Sequence, residues 1–168
     1  YLVNSHGFRR ESWAGTLKDA VASVFGWDRI LLEGKTSESR KWRELLDEWW
    51  SSRLGVDVTP RRVLQIWGTE VCRNAYHDDI WIASLENKLR KTNDNVVISD
   101  SRFPNELDSV KRIGGITIRV KRGVDPDWVE YLAKHEITEE FKKLWPEIHA
   151  SEYSSFCAKY DYVIQNDS

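Results

Sequence analysis

Val96-Val97-Ile98 is a wholly apolar run between Asn93-Asp94-Asn95 and Ser99-Asp100, and it restricts the fold more than any other stretch of the chain. A strand with apolar side chains on both faces belongs inside a parallel sheet covered by helices. Ile116, Ile118 and Val120 alternate with Thr117, Arg119 and Lys121. That period of two predicts a further strand, with Ile118 and Val120 toward the core and Arg119 on the face of Thr117 and Lys121. Phe8 to Ala14 and Tyr160 to Ile164 read as two more strands.

Helical patterns fill the gaps between these strands. Tyr1 to Gly7 reads as the last turns of a helix closed by glycine. Thr16 is placed as the cap of a helix, with Asp19 in its first turn and a stripe of Leu17, Val21, Val24 and Phe25 ending at Gly26. Ser37 to Leu54 is read as one helix. Its apolar face is Leu45, Leu46, Trp49, Trp50 and Leu54, and its opening turns carry Arg40, Lys41 and Arg43. Thr59-Pro60 combines a capping threonine with proline at the first helical position, opening a helix through Val63, Leu64, Trp67 and Val71. Further helices are predicted from Asp79 to Arg90, from Pro104 to Ile113 before Gly114-Gly115, and in the charged stretch Pro126 to Trp145. Strands alternating with helices imply a layered α/β fold with a mostly parallel sheet. No repeat or flexible linker divides the 168 residues, which are read as one domain.

Charged residues at 31% and hydrophobic residues at 40% suit a packed domain rather than a disordered one. A net charge of -2 argues against a partner such as duplex DNA, though not against a small phosphorylated ligand. Cys72 and Cys157 are too few for a disulfide framework or zinc site, which points to a reducing cytoplasm. No run approaches the ~20 apolar residues of a membrane span. The chain has no methionine. The expectation is that a segment precedes Tyr1 and that the chain is also cut after Ser168. Four strands are few for such a sheet, and the preceding segment is expected to add another.

Ligands in open α/β sheets bind beyond the carboxyl ends of strands. Asp100 follows the Val96 strand, where an acid can organise magnesium or its waters, and Arg102 can fork onto phosphate oxygens. The alternative is that Asp100 caps the next helix and Arg102 is a surface cation. Arg119, Lys121 and Arg122 would attract a polyphosphate, or form a solvated edge. Arg61, Gln65, Gly68 and Thr69 lie roughly along one helical face, and Gly68 invites either a ligand or a neighbouring helix to approach. Of nine tryptophans, Trp13, Trp27, Trp49, Trp50, Trp67, Trp128 and Trp145 are assigned to the core, leaving Trp42 and Trp81 to contact a base. His149, with Ser151 and Glu152, is either a lid contact or structural. No nucleophile–base pair supports hydrolysis.

Taken in order, these pieces resemble the bacteriophage deoxynucleoside monophosphate kinases over nearly the whole chain. They are Trp13 to Ala20, the Leu32-Glu33-Gly34 turn with Ser39 to Glu44, Thr59 to Glu70, His77 to Trp81, Ile98 to Glu106, His149 to Glu152, and Asn166-Asp167. The resemblance implies a P-loop kinase-like three-layer fold, with a helical acceptor-binding region at 30–92 and a lid at about 122–152. It implies transfer of the γ-phosphoryl of ATP, with Mg2+, onto a deoxynucleoside 5′-monophosphate in the host cytoplasm. By it Arg40 grips the acceptor phosphate, with Arg61, Arg62, Gln65, Gly68, Thr69, Trp81, Trp42 and Arg43 around the acceptor. Asp100 and Arg102 stand beside the reacting phosphates, with Asp100 reaching the metal through water. Arg119, Lys121 and Arg122 lead into the lid, and Asn166-Asp167 begin the adenine loop, where Ser168 replaces the family's glycine. The family's phosphate-binding loop is missing from these residues, so the chain as given is expected to be inactive. Its missing strand is expected between those at Phe8 and Val96 or their neighbours. The same pieces leave open a nucleotide- or partner-binding module without catalysis, a kinase for another phosphorylated acceptor, and a homodimer.

Overall fold

The computed structural model of the chain describes residues 1–135, 137–146, 148, 153, 156 and 158–166. The chain divides into two compact units, Tyr1–Ser99 and Asp100–Ser168. Each contains one pair of parallel strands among its described residues.

In the first unit, helix α1 (Leu2–His6) ends at Gly7, whose φ of 67° is the left-handed cap foreseen from the sequence. Strand β1 (Arg9–Glu11) pairs directly with β2 (Val96–Ile98), Arg9 standing opposite Val96. Among the described residues β1 and β2 are direct neighbours, with no strand between them. β2 is half-buried rather than enclosed, because β1 is its one neighbour among the described residues.

Helix α2 (Gly15–Phe25) buries Leu17 and Val21 and ends at Gly26. Thr16 does not cap it; the helix begins one residue earlier, and the Thr16 hydroxyl is hydrogen-bonded to Ser84 at 3.0 Å. Asp19 lies past the first turn and accepts from Arg29, while Val24 is exposed.

The single helix read over residues 37–54 is two: α3 (Ser37–Glu44) and α4 (Glu48–Leu54). Leu45 turns extended, and Asp47 then caps α4 by accepting from the Trp50 N–H at 3.0 Å. Asp47 also accepts from Trp27 Nε1 at 2.7 Å and donates its N–H to the Val58 carbonyl at 2.8 Å. These long-range bonds favour the break over the local helical pattern. Leu45, Leu46, Trp49 and Leu54 are exposed as a result, and Trp50 alone of that predicted face packs inward, donating to the Phe25 carbonyl.

Thr59 caps α5 (Pro60–Gln65), accepting from the Arg62 N–H, as its sequence foretells. α5 then widens into a π-helix at Ile66–Asn74, after which the amides of Ala75 and His77 reach back to Glu70 and Cys72. The wider turn buries Gly68 and leaves Val71 exposed. Helix α6 (Ile80–Leu89) buries Ile82 and Leu85. The core is Leu17, Val21, Leu32, Val58 and Val63, ringed by Phe25, Trp27, Trp42, Trp50, Trp67 and Trp81. Each such aliphatic side chain contributes about 1.5–3 kcal/mol on full burial.

The second unit holds α7 (Pro104–Arg112), β3 (Ile118–Lys121), α8 (Asp127–Lys134), α9 (Glu139–Leu144) and β4 (Tyr162–Gln165). β3 and β4 run parallel, with Ile118 opposite Tyr162. The faces of β3 are the reverse of the expected ones: Ile116, Ile118 and Val120 are exposed, and Thr117 is buried. The covered side is set by aromatic rings: Trp128 packs on Phe156 at 4.6 Å, and Arg119 lies 4.1 Å over the Phe156 ring. Asp161 adds to this side by accepting from both the amide and the hydroxyl of Thr117 at 2.7 Å. The predicted stretch 126–145 is likewise two helices, because His135 is extended and Thr138 caps α9. Trp128 and Trp13 are buried, whereas Trp49 lies at the surface. His149, Ser151, Glu152, Cys157, Asp167 and Ser168 lie outside the described residues.

Candidate active site

A turn in the first unit gathers several charged side chains, Lys18, Asp19, Arg29 and Glu33 among them. Residues Leu31–Glu33 form one 3-10 turn closed by Gly34, φ 65°. Thr36 then caps α3, its side chain accepting from the Ser39 amide while Ser39 Oγ accepts from the Thr36 amide. The cap fixes the start of a helix on which Arg40 and Arg43, three residues apart, are neighbours. Glu33 accepts from Lys18 at 3.0 Å and from Arg29, and Arg29 reaches on to Asp19 at 2.5 Å. Burial works against the Glu33 charge, but the hydrogen bonds and charges of Arg29 and Lys18 outweigh it and hold the carboxyl at about 2.

Arg43 lies against Gly34 so closely that a Cβ there would overlap its guanidinium. Burial lowers the Arg43 pKa, as do the charges of Arg61 and Arg40, while Glu44 and Glu33 oppose them. The structure therefore brings Arg40, Arg43 and Arg61 into one electrostatic cluster. Arg61 is bound to Glu44 at 2.9 Å, and Arg40 donates to the Lys35 carbonyl at 3.3 Å. Arg43 Nε is buried and has no hydrogen-bond partner among the described residues. A buried donor left unmade costs about 1–3 kcal/mol, and like charges add to it. An anion is the natural remedy for both. Glu33 and Lys35, on either side of Gly34, line an open cleft of about 380 Å³ with Arg29, Thr36 and Ser39.

The remaining candidates of this unit are distributed differently. Arg62 is exposed and donates to the Asp57 carbonyl at 3.2 Å, while Gln65 and Thr69 are exposed. Gly68 is approached by Leu17 of α2, whose Cδ2 would lie 2.9 Å from an added Cβ. Its closeness to a neighbour is thus helix packing, the second of the two readings of this glycine. Trp81 donates its indole N–H to the Gly68 carbonyl at 2.9 Å, and Trp42 packs on the core, its ring perpendicular to that of Trp27. Both tryptophans are half-buried in the packing of the unit itself.

In the second unit, Asp100 is half-buried and Arg102 exposed. The amides of Arg102 and Phe103 both donate to one Glu106 oxygen, at 2.8 and 3.2 Å. Arg119 and Lys121 converge on the two oxygens of Asp125, at 3.0 and 2.6 Å. The Lys121 bond, helped by both positive charges, keeps the Asp125 pKa below its ordinary value. Arg122 is exposed, and the Asn166 amide donates to the Lys121 carbonyl at 2.7 Å. Among the described residues no three His, Cys, Asp or Glu side chains cluster to hold a metal. No helix among them is long and apolar enough to cross a membrane.

Residue reasoning passed over the Lys18–Glu33–Arg29 network, Gly34, Asp125 and Glu106. The available signal was the Leu32-Glu33-Gly34 turn immediately before a capped, arginine-bearing helix.

Parallel strand pairs joined through helices define the class as α/β. Residues 43–168 match the family described as deoxynucleotide monophosphate kinase, and the chain belongs to that family, in agreement with the resemblance drawn from its motifs. It is 29% identical over 136 residues to a protein of Acanthamoeba polyphaga mimivirus provisionally named deoxynucleotide monophosphate kinase, covering 73% of this chain and 65% of that one. It is 46% identical over 50 residues to a deoxynucleoside-5′-monophosphate kinase of Escherichia phage T5, covering 29% of this chain and 20% of the relative. The chain thus spans less than two thirds of the length of these curated relatives. No solved structure matches it.

Proposed function

We propose that this chain belongs to an enzyme that transfers the γ-phosphoryl group of ATP to a deoxynucleoside 5′-monophosphate, and that the Arg43 cluster receives the acceptor phosphate. The observation that carries the reading is the buried Arg43 Nε without a partner, held over Gly34 among Arg40 and Arg61. A phosphate dianion satisfies that donor and offsets the repulsion between the three guanidinium groups. Arg43 takes the inner place at this site and the exposed Arg40 an outer one. Arg62, Gln65 and Thr69 are exposed and meet the nucleoside, within an acceptor region of residues 30–92. Trp81 and Trp42 offer ring edges and faces, since the Trp81 N–H is already engaged by Gly68.

In the transfer, an oxygen of the acceptor phosphate forms a bond to the γ-phosphorus. The bond from that phosphorus to its bridging oxygen breaks, and ADP leaves with the electron pair. Little covalent work falls to the protein, whose task is to position the groups and stabilise charge. Arg102 stabilises the charge on the moving group, and Arg119, Lys121 and Arg122 lead the lid over the donor phosphates. Asn166 and Asp167 begin the adenine loop. An acid at Asp100 would help hold a magnesium ion that keeps several of its waters, which suits the reluctance of that ion to shed its hydration. When bound, magnesium supplies neutralisation of the phosphate charge. The P-loop fold, the donor-phosphate loop outside these residues, and action in a host cytoplasm belong to the same proposal.

The test uses protein expressed from the complete reading frame, with ADP formation followed for ATP, magnesium and each of four deoxynucleoside monophosphates. Turnover with at least one of them, lost in Arg102→Ala and Asp100→Asn, is the expected result. A folded protein that binds nucleotides yet turns over none of the four would sink it.

A further inference from the structure

Glu106 is the one charged side chain among the described residues that is buried, 4% exposed. No part of the transfer described above uses it. Burying a carboxylate is unfavourable unless its oxygens are well bonded, so a charge in this place answers a local demand. Its Oε2 accepts two consecutive amides, Arg102 at 2.8 Å and Phe103 at 3.2 Å. Pro104 opens α7 and fixes where that helix begins, which puts Glu106 at the third helical position, facing back along the chain.

The two ends of Arg102 contrast. Its main chain is tied to a buried carboxylate, while its guanidinium makes no hydrogen bond or ion pair among the described residues and lies in solvent. Three other candidate cations differ: Arg61 is tied to Glu44, and Arg119 and Lys121 to Asp125. Unlike those three, Arg102 combines an anchored root with an unengaged head. A cation so built meets an incoming phosphate having only its side-chain torsions to order, because the backbone is already fixed.

We infer that Glu106 is a positioning residue for Arg102, holding its backbone so that the guanidinium meets the transferring phosphoryl group; the inference rests on the kinase reading above. Glu106 itself touches neither substrate.

The test compares Arg102→Ala, Glu106→Ala, Glu106→Gln and the Arg102→Ala/Glu106→Ala pair in the complete protein, with kcat, both KM values and thermal unfolding measured for each. Arg102→Ala should lower kcat by about 100-fold, the loss typical of one removed charge-stabilising donor. Glu106→Ala should lower kcat by roughly 10-fold or more with smaller changes in KM, since positioning acts mainly in the transition state. The double variant should be no slower than Arg102→Ala alone, because residues acting through one another are not additive. Glu106→Gln, which keeps an acceptor oxygen, should restore most of the Glu106→Ala loss. Losses that multiply in the double variant, or a Glu106→Ala protein that unfolds earlier with kcat intact, overturn the inference. If Glu106→Ala fails to fold, Glu106→Asp takes its place in the same cycle under the same criterion. An Arg102→Ala protein with unchanged kcat and KM refutes the kinase site itself, which is a different failure.

Discussion

Gly34 and Gly55 share a backbone conformation, φ 65° and 70°, but not their surroundings. Alanine at either position incurs the left-handed strain of about 1–2 kcal/mol. At Gly55 a Cβ meets nothing within 4 Å, whereas at Gly34 it overlaps the Arg43 guanidinium. That group is the far end of a flexible side chain, so it swings away at little cost in stability. Gly34→Ala and Gly55→Ala should therefore destabilise the protein equally, within ~0.5 kcal/mol in urea unfolding. Ligand binding should separate them. Displacing the guanidinium removes charge-assisted hydrogen bonds to the acceptor phosphate, each worth about 1.5–3 kcal/mol. That converts to a loss of roughly 10- to 100-fold in affinity. Titration calorimetry with a deoxynucleoside monophosphate should show this weakening in Gly34→Ala and in Arg43→Ala, and leave Gly55→Ala near the parent. Equal affinities for Gly34→Ala and Gly55→Ala would refute the argument that Arg43 over Gly34 forms the phosphate seat.

Two further predictions concern the same unit. Glu33 falls from its ordinary 4.5 to about 2 in the folded chain, so its stabilisation is complete above the unfolded value and is lost as pH drops through that window. A shift of that size corresponds to about 3 kcal/mol, reduced by solvent screening to ~1–2 kcal/mol. Urea unfolding from pH 5 to pH 2 should show a flatter decline for Glu33→Gln than for the parent, and identical slopes would exclude the role given to Lys18 and Arg29. Trp81→Phe strands the Gly68 carbonyl and should destabilise by about 1–3 kcal/mol, measured by thermal unfolding. A neutral result would mean that water replaces the indole.

Features determined within a few residues were legible from sequence. The Thr59 cap, the Gly7 and Gly26 termini and the alternation of residues 116–121 each depend on neighbours in the chain. Features decided by distant partners were not. The break at Asp47 is held by Trp27 and Val58, and its one local signal, an aspartate suited to cap α4, is outweighed in the sequence by the helical pattern around it. Alternation shows that β3 has two unlike faces, but which one is covered depends on where the α8 and α9 aromatics settle. The π-helix moves Gly68 off the face drawn on an α-helical template, giving it to Leu17. At the candidate site, the arginines were recognised by type and family order. Their ranking needed coordinates, because what distinguishes Arg43 from Arg40 is a buried atom without a partner.

The pairing of β1 with β2 also has a temporal side. Arg9 is hydrogen-bonded to Asp94, 85 residues further along the chain. A ribosome adding ~5–20 residues per second needs roughly 4–17 s to cover that distance. For that interval β1 has left the exit tunnel without its mate, and α2, packed beside it in sequence, is without much of the helical region that later encloses Leu17 and Val21. Nascent β1 therefore waits unpaired during translation, and a codon-dependent pause lengthens that wait only when it falls after β1 has cleared the tunnel and before β2 has done so.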